Sequence, residues 1–535
     1  MEYIYDNPTR PPQESRHWQS LRHETGDRFL TNPELLRNEL LHQITDDNDD
    51  NAILGILALL GYCEALCTGR ERYHPYPIPV DALGRLVEEE FTPPVVVRPT
   101  QQEQRPGTAS TPDQHHRRAA REISNWIFTK VVSKTNMKDE KHANSMYTVL
   151  RGRIDNKSVD CFGAAIVTVV ALRQQNYSSV LTLSEDHAYE SHGDNGTCEV
   201  AIPGNTKVQK QKRGQDIAET FSNQNRTSSL TPDTSWLYMG GNAVMCNTNA
   251  MILAAAIANM NCLIENKSNH EMYSRPLLLI KRDLLWILKD KGHLDRFPFA
   301  LCELGWAEEH ATSRRGEAWV AIPWERSSNI EVTTMEALYH DAVRISQTNY
   351  RDKQVYPYCY LGFFHKDGGQ EEEYRLGLAL QFFSEAARVA SSYKYESGDT
   401  LQLTKVFTKI SEFIVNEIMS YKDKPRTWQD TNNEITCGKW LIVFFDYLFL
   451  WEEQSDAGAF LPICKSNHKT GIVKAFAQLS TKSRIQCVRM TTTKSQRFQG
   501  PLRSALESPT KLSISDMHLT IVSDSKRRRK RKAIS

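Results

Sequence analysis

The chain has 535 residues, enough for three or four domains with a sizeable core. Its 11 cysteines are odd in number and scattered without close pairing, and its longest apolar stretch, Ala52 to Leu60 with its flanks, is far too short to span a bilayer. These features exclude a disulfide framework and a transmembrane protein, and predict a soluble chain in a reducing compartment.

The net charge of +1 conceals an asymmetry. The run KRRRKRK is made of Lys526, Arg527, Arg528, Arg529, Lys530, Arg531 and Lys532, and taking its seven charges from the 66 basic residues leaves 59 against 65 acidic ones, or −6. A mildly acidic body suits basic peptides better than nucleic acid. The tail reads as a nuclear import signal, with phosphate contact as the alternative.

Residues 1–25 are polar and proline-containing and read as a loose extension. Asn32-Pro33-Glu34 has the capping asparagine and first-turn proline of a helix start, with Leu35, Leu36, Leu40 and Leu41 on its apolar face. A second helix is predicted from about Ala52 to Cys67. Its Cys63 and Cys67 share a face but have no His or Cys partners nearby, so they read as core. Between Tyr73 and Gln114, proline-rich segments predict an extended connection, with a seam near residue 115. Helical spacing then resumes over His115 to Ser133 and Lys138 to Arg151.

The most chemically suggestive pair follows. Asp160-Cys161-Phe162-Gly163 opens an apolar helix, and a cysteine at a helix N-terminus has its thiolate favoured by the dipole. Strand-like alternation over Ser179 to Leu183 leads into SEDHAY with His187, then a turn at Gly193 to Gly196 and a strand over Cys198 to Ile202. Cysteine, then histidine, is the order of transglutaminase-like cysteine enzymes. The strand where an orienting aspartate belongs reads CEVAIPG, without one, so no catalysis is expected. An enzyme using Cys161 and His187 remains the alternative.

Further on, helices are predicted over Met251 to Ile257, over Leu277 to Asp290 with a stop at Gly292-His293, and after Pro298. Tyr350 to Tyr395 reads as two helices joined by a polar turn. The first carries Tyr356, Tyr360 and Phe364 at i, i+4 and i+8, with Pro357 near its start; the second begins near Glu371 with Ala379, Phe383 and Ala386 in line. With Leu361-Gly362, this pair resembles a tetratricopeptide unit whose turn is about five residues too long. Lys405 to Ile418 and Lys439 to Trp451 read as core helices, and the Ser/Thr/Lys-rich chain from Thr491 as disordered.

Four longer motifs, LSEDHAY (Leu183 to Tyr189), SWLYMGG (Ser235 to Gly241), LLWILKDKGHLDRFPFAL (Leu284 to Leu301) and TNYRDKQVYPYCYLG (Thr348 to Gly362), resemble the menin family in order and spacing. The similarity extends over about residues 28 to 500, as in a divergent, shorter member from outside the vertebrates. It implies an α+β, mainly α-helical fold. Residues 1–25 would be an extension, 26–115 an N-terminal helical and β-hairpin region, 116–234 a transglutaminase-like domain without activity, 235–400 a palm of tetratricopeptide-like hairpins around a peptide cavity, 401–490 a C-terminal helical domain and 491–535 the tail.

The same resemblance implies a nuclear adaptor with no cofactor, no metal and no membrane association. Its cavity would take an Arg/Phe/Pro-containing N-terminal segment of a trithorax/MLL-type histone methyltransferase, with a Jun D-type transcription factor competing and a lens epithelium-derived growth factor-like chromatin reader as a further partner. Carried over motif by motif, the cavity uses Asp139, Ser184, Asp186, His187, Ala254, Ile257, Ala258, Phe297, Phe299, Glu303, Tyr356, Cys359, Tyr360 and Phe383. Asp139, Asp186 and Glu303 would receive arginines. Ala254, Phe299, Cys359, Glu303 and Phe383 depart from the family's residues, and Cys161 stands where vertebrate members have serine.

Overall fold

A computed structural model of the chain describes residues 53, 56, 57, 60, 61, 63, 64 and 67, and residues 112–131, 161–194, 196–202, 206–218, 234–263, 273–312, 335–367, 372–393, 401–420 and 431–454. Four sets of expectations fall outside these residues: the N-terminal extension with the helix after Asn32, the extended connection from Tyr73 up to residue 111, Asp139 with its helix, and the tail. The import signal proposed for that tail, Lys526, Arg527, Arg528, Arg529, Lys530, Arg531 and Lys532, lies outside them with it. Among the described residues, helix dominates around one small antiparallel sheet, and no helix is long and apolar enough to cross a membrane. They divide into two compact units.

The first unit contains the described residues between 53 and 67, which are helical with Cys63 buried and Cys67 half-buried. Helix α1, Pro112–Trp126, starts three residues before the periodicity predicts, because Pro112 and Asp113 suit a first turn where no N–H is needed and negative charge is favoured. It runs into a π-turn at Ile127–Val131. Helix α2, Cys161–Gln174, buries every residue from Phe162 to Leu172, as a helix apolar on all sides must.

The sheet has the order β3-β2-β1-β4, with β1 Val180–Leu183, β2 Ala188–His192, β3 Gly196–Cys198 and β4 Val244–Cys246, all antiparallel. The predicted strand over Cys198 to Ile202 is thus shifted: pairing ends at Cys198. β2 and β4 were not distinguished in the sequence, β4 because three residues give too short an alternation to read. A short α3, Lys207–Lys212, opens on a capping box between Thr206 and Gln209.

Helices α4 (Asn249–Ala258), α5 (Arg275–Asp290) and α6 (Pro298–Thr312) complete this unit. The Thr248 hydroxyl accepts the Met251 N–H at the start of α4. α5 ends where predicted, at Gly292, whose φ of 79° favours glycine.

The second unit contains Ser184–Asp186, the segment around Trp236, and helices α7 (Met335–Asn349), α8 (Tyr356–Asp367), α9 (Glu372–Ala390), α10 (Leu401–Ser420) and α11 (Thr431–Gln454). The predicted pair is α8 and α9, and α7 before it is an element the sequence reading missed. Gly362 on α8 lets α9 close in, since a Cβ there would collide with the ring of Phe383. Ala379, Phe383 and Ala386 have no accessible surface. On the other side of α9, Ser384 donates to the carbonyl of Trp440 on α11 at 2.9 Å. Phe407, Phe444 and Trp451 pack together as the predicted core of α10 and α11.

Candidate functional site

In the second unit the candidate residues gather at the start of α8. A helix start leaves backbone N–H groups without partners inside the helix. Here both oxygens of Glu185 take them, accepting from the N–H groups of Val355 and Tyr356 at 2.6 Å each. Burial pushes the Glu185 carboxyl up to about 8, against the pull of those two donors. The neighbouring Asp186 accepts the Tyr356 hydroxyl at 2.6 Å on one oxygen and the Trp236 indole N–H at 2.9 Å on the other. Rings of Tyr356 and Tyr393 meet Trp236 edge-on, with centroids 6.3 and 5.3 Å away. Before α8, Arg351 and Asp352 adopt positive φ, and the Asp352 carboxylate holds the turn by accepting the Tyr358 hydroxyl and pairing with Arg388.

This arrangement aims one face of α8. Tyr356, Tyr360, Phe363 and Phe364 are half-buried at i, i+4, i+7 and i+8, whereas Tyr358, Cys359 and Leu361 are buried between them. Tyr339 on α7 backs Tyr360 and Phe364. Of the candidates in this unit, Ser184, Asp186, Tyr356 and Tyr360 retain surface, while Cys359 is buried and Phe383 lies wholly in the core.

In the first unit, Ala254 and Ile257 leave no accessible surface and Ala258 and Phe297 almost none; Phe299 is half-buried. Glu303 is buried and engaged by Lys281 of α5, whose ammonium also donates to the carbonyls of Ala258 at 2.7 Å and Met260 at 3.2 Å. A buried ammonium so surrounded has its charge and protons satisfied.

His187, just before β2, donates from Nε2 to Glu199, just after β3, at 2.9 Å. The β2/β3 register explains the meeting. Glu190 faces Cys198, so one further step puts position 199 beside 189 and within diagonal reach of 187. The other Glu199 oxygen accepts the Ala201 N–H at 2.8 Å, and its backbone is clamped by Gln215 and Gly214. The Cys161 thiol at the start of α2 is hydrogen-bonded to the same imidazole. Burial lowers the proton affinity of His187, but the Glu199 carboxylate and Cys161 more than reverse this, so its pKa lies well above the ordinary value. The missing orienting acid is therefore present as a glutamate, which corrects the reading of CEVAIPG.

Two groups offer metal-ligand atoms within 4.8 Å of one another, His116 with Glu190 and His192, and Glu336 with His340 and His365. In the first, Glu190 already accepts from both histidines and from Ser179, and His192 also bonds Asp113 at 2.6 Å. It is a closed hydrogen-bonded network. In the second, two of the three residues are substantially exposed.

The sequence model of the menin family matches residues 102–500. The chain belongs to the menin family. Its fold is similar to the crystal structure of menin that reveals the binding site for the Mixed Lineage Leukemia (MLL) protein, with a TM-score of 0.67 at 24% identity over 93% of this chain and 99% of that one. Of the residues that hold these arrangements together, the sequence reading named Asp186, His187, Tyr356 and Glu303 as candidates and did not name Glu185, Glu199 and Lys281. Only Glu199 carried a usable signal: a glutamate reaches an imidazole as well as an aspartate does.

Proposed function

We propose that this menin homologue is a nuclear scaffold that binds a short Arg/Phe/Pro-containing segment of a trithorax/MLL-type histone methyltransferase. Transcription factors of the Jun D type would compete for the same site, and the complex would act on transcription through histone methylation. The basic run from Lys526 to Lys532 would carry the protein into the nucleus. A chromatin reader and weak DNA contact through that tail are secondary interactions in this reading. The transglutaminase-like and tetratricopeptide-like parts would serve as its frame.

The supporting observation is the row of half-buried aromatic rings on α8, fixed at its start by Glu185 and Asp186. Rigid aromatic rings offer large contact area at low entropy cost, which suits peptide phenylalanine and proline side chains. Contact falls to the candidates that keep surface, chiefly Ser184, Tyr356 and Tyr360, with Cys359 and Phe383 as their backing. The MLL-binding site of the menin neighbour points the same way.

Calorimetric titration of such a methyltransferase peptide into the purified chain tests this. Saturable one-to-one binding that weakens at least about tenfold in Tyr360→Ala is expected, the size of a modest aromatic contact. Equal affinity of the two proteins contradicts it.

A further inference from the structure

Cys161, His187 and Glu199 form a hydrogen-bonded row that peptide binding does not call for. Among nine described cysteines, all reduced, only Cys161 and Cys67 are not buried, and Cys161 alone adjoins an imidazole that a carboxylate orients. The three groups come from three places in the chain. α2 brings the sulfur, the entry to β2 brings the ring, and the exit from β3 brings the acid. Glu199 is held at both oxygens and both backbone polar groups, so the ring it bonds has one orientation. At 2% exposure, a carboxylate there is stabilised by a protonated partner. A merely structural histidine requires no thiol at its side.

We propose that Cys161, His187 and Glu199 form a working nucleophilic relay that transfers the acyl group of a neutral carboxamide side chain, such as that of a peptide glutamine. The Cys161 thiolate adds to the carbonyl carbon, the C–S bond forms and the C–N bond breaks. The imidazolium proton of His187 goes to the departing nitrogen, which leaves as ammonia. Water then gives a proton to the neutral imidazole and adds its hydroxide to the thioester, so that the C–S bond breaks, the thiolate returns and a carboxylic acid departs. The start of α2 supplies dipole and N–H donors where the carbonyl oxygen gains charge. A carboxamide is favoured over an ester because an amine leaving group must be protonated, and His187 holds the proton beside the sulfur. Glu199 is a positioning residue, and it belongs to the first unit, whereas α8 belongs to the second.

The full chain incubated with a glutamine-containing peptide tests this by ammonia release and by mass spectrometry of the acylated protein. Release is expected with an adduct on Cys161, and neither in Cys161→Ser. Glu199→Gln should slow release about 100-fold and move the alkaline limb of the pH profile downward, since His187 loses the charge that holds its proton. Both variants should keep the circular dichroism of a folded chain, Cys161→Ser with an unchanged thermal midpoint and Glu199→Gln with a midpoint lowered by the lost counter-charge of His187, so loss of turnover is read against intact structure. Absence of ammonia and adduct from the unaltered chain overturns the proposal, as does undiminished release from folded Cys161→Ser.

Discussion

Glu185 precedes and Glu199 follows one β-hairpin in the chain, and the two are used in different ways. Glu185 faces two backbone N–H groups, fixed dipoles that cannot titrate, and its task is to set the first turn of α8. Glu199 faces an imidazole that can titrate, and its task is to hold a proton beside a sulfur. One residue type thus builds a rigid wall in the second unit and an adjustable relay in the first. The difference lies in the partner, not in the carboxylate.

The largest expected effect breaks the comparison at Glu199. Glu199→Leu leaves a buried imidazolium without its counter-charge, and should cost about 3–5 kcal/mol in urea unfolding at pH 6. Because the folded pKa of His187 is raised, its contribution is fully present below 6.5 and is lost as pH rises through the raised value. The penalty should therefore shrink in alkaline solution. A pH-independent loss would mean that packing alone is at work.

Next in size is Gly362→Ala, which drives a methyl group into Phe383 and should lower stability by about 1–3 kcal/mol in thermal unfolding. Pairing it with Phe383→Leu should recover part of that loss; additive losses would separate the α8 wall from α9. Glu185→Gln sharpens the contrast. Its folded value of about 8 against the ordinary 4.5 means that its stabilisation is present below 4.5 and lost as pH rises through 8. The variant should have a flatter stability profile over that window, and should be less stable by about 1 kcal/mol at pH 5. The smallest effect belongs to Tyr356→Phe, which removes the hydroxyl bond to Asp186 and keeps the one from the indole, and should cost about 0.5–1.5 kcal/mol.

Much of this architecture was legible in the residues. Pro298 marked the start of α6 and Gly292 the end of α5, because proline and glycine constrain the backbone locally. The aromatic spacing of α8 and the small residues of α9 announced their packing for the same reason. Contacts distant in sequence were not legible. Nothing near Val355 shows that its N–H is taken by Glu185, and Glu303, read as an arginine acceptor, has Lys281 for a partner. Glu199 stands in the segment where an aspartate was expected, and its longer side chain reaches the imidazole from there. β4 and α7 were missed where the local pattern is short or weakly apolar.

Hydrogen–deuterium exchange of the full chain with and without the methyltransferase peptide tests the scaffold claim most directly. Slowed exchange over Ser184–Asp186 and along Tyr356–Asp367 is the predicted result. Protection confined to the basic tail, with α8 exchanging as in the free chain, would contradict it.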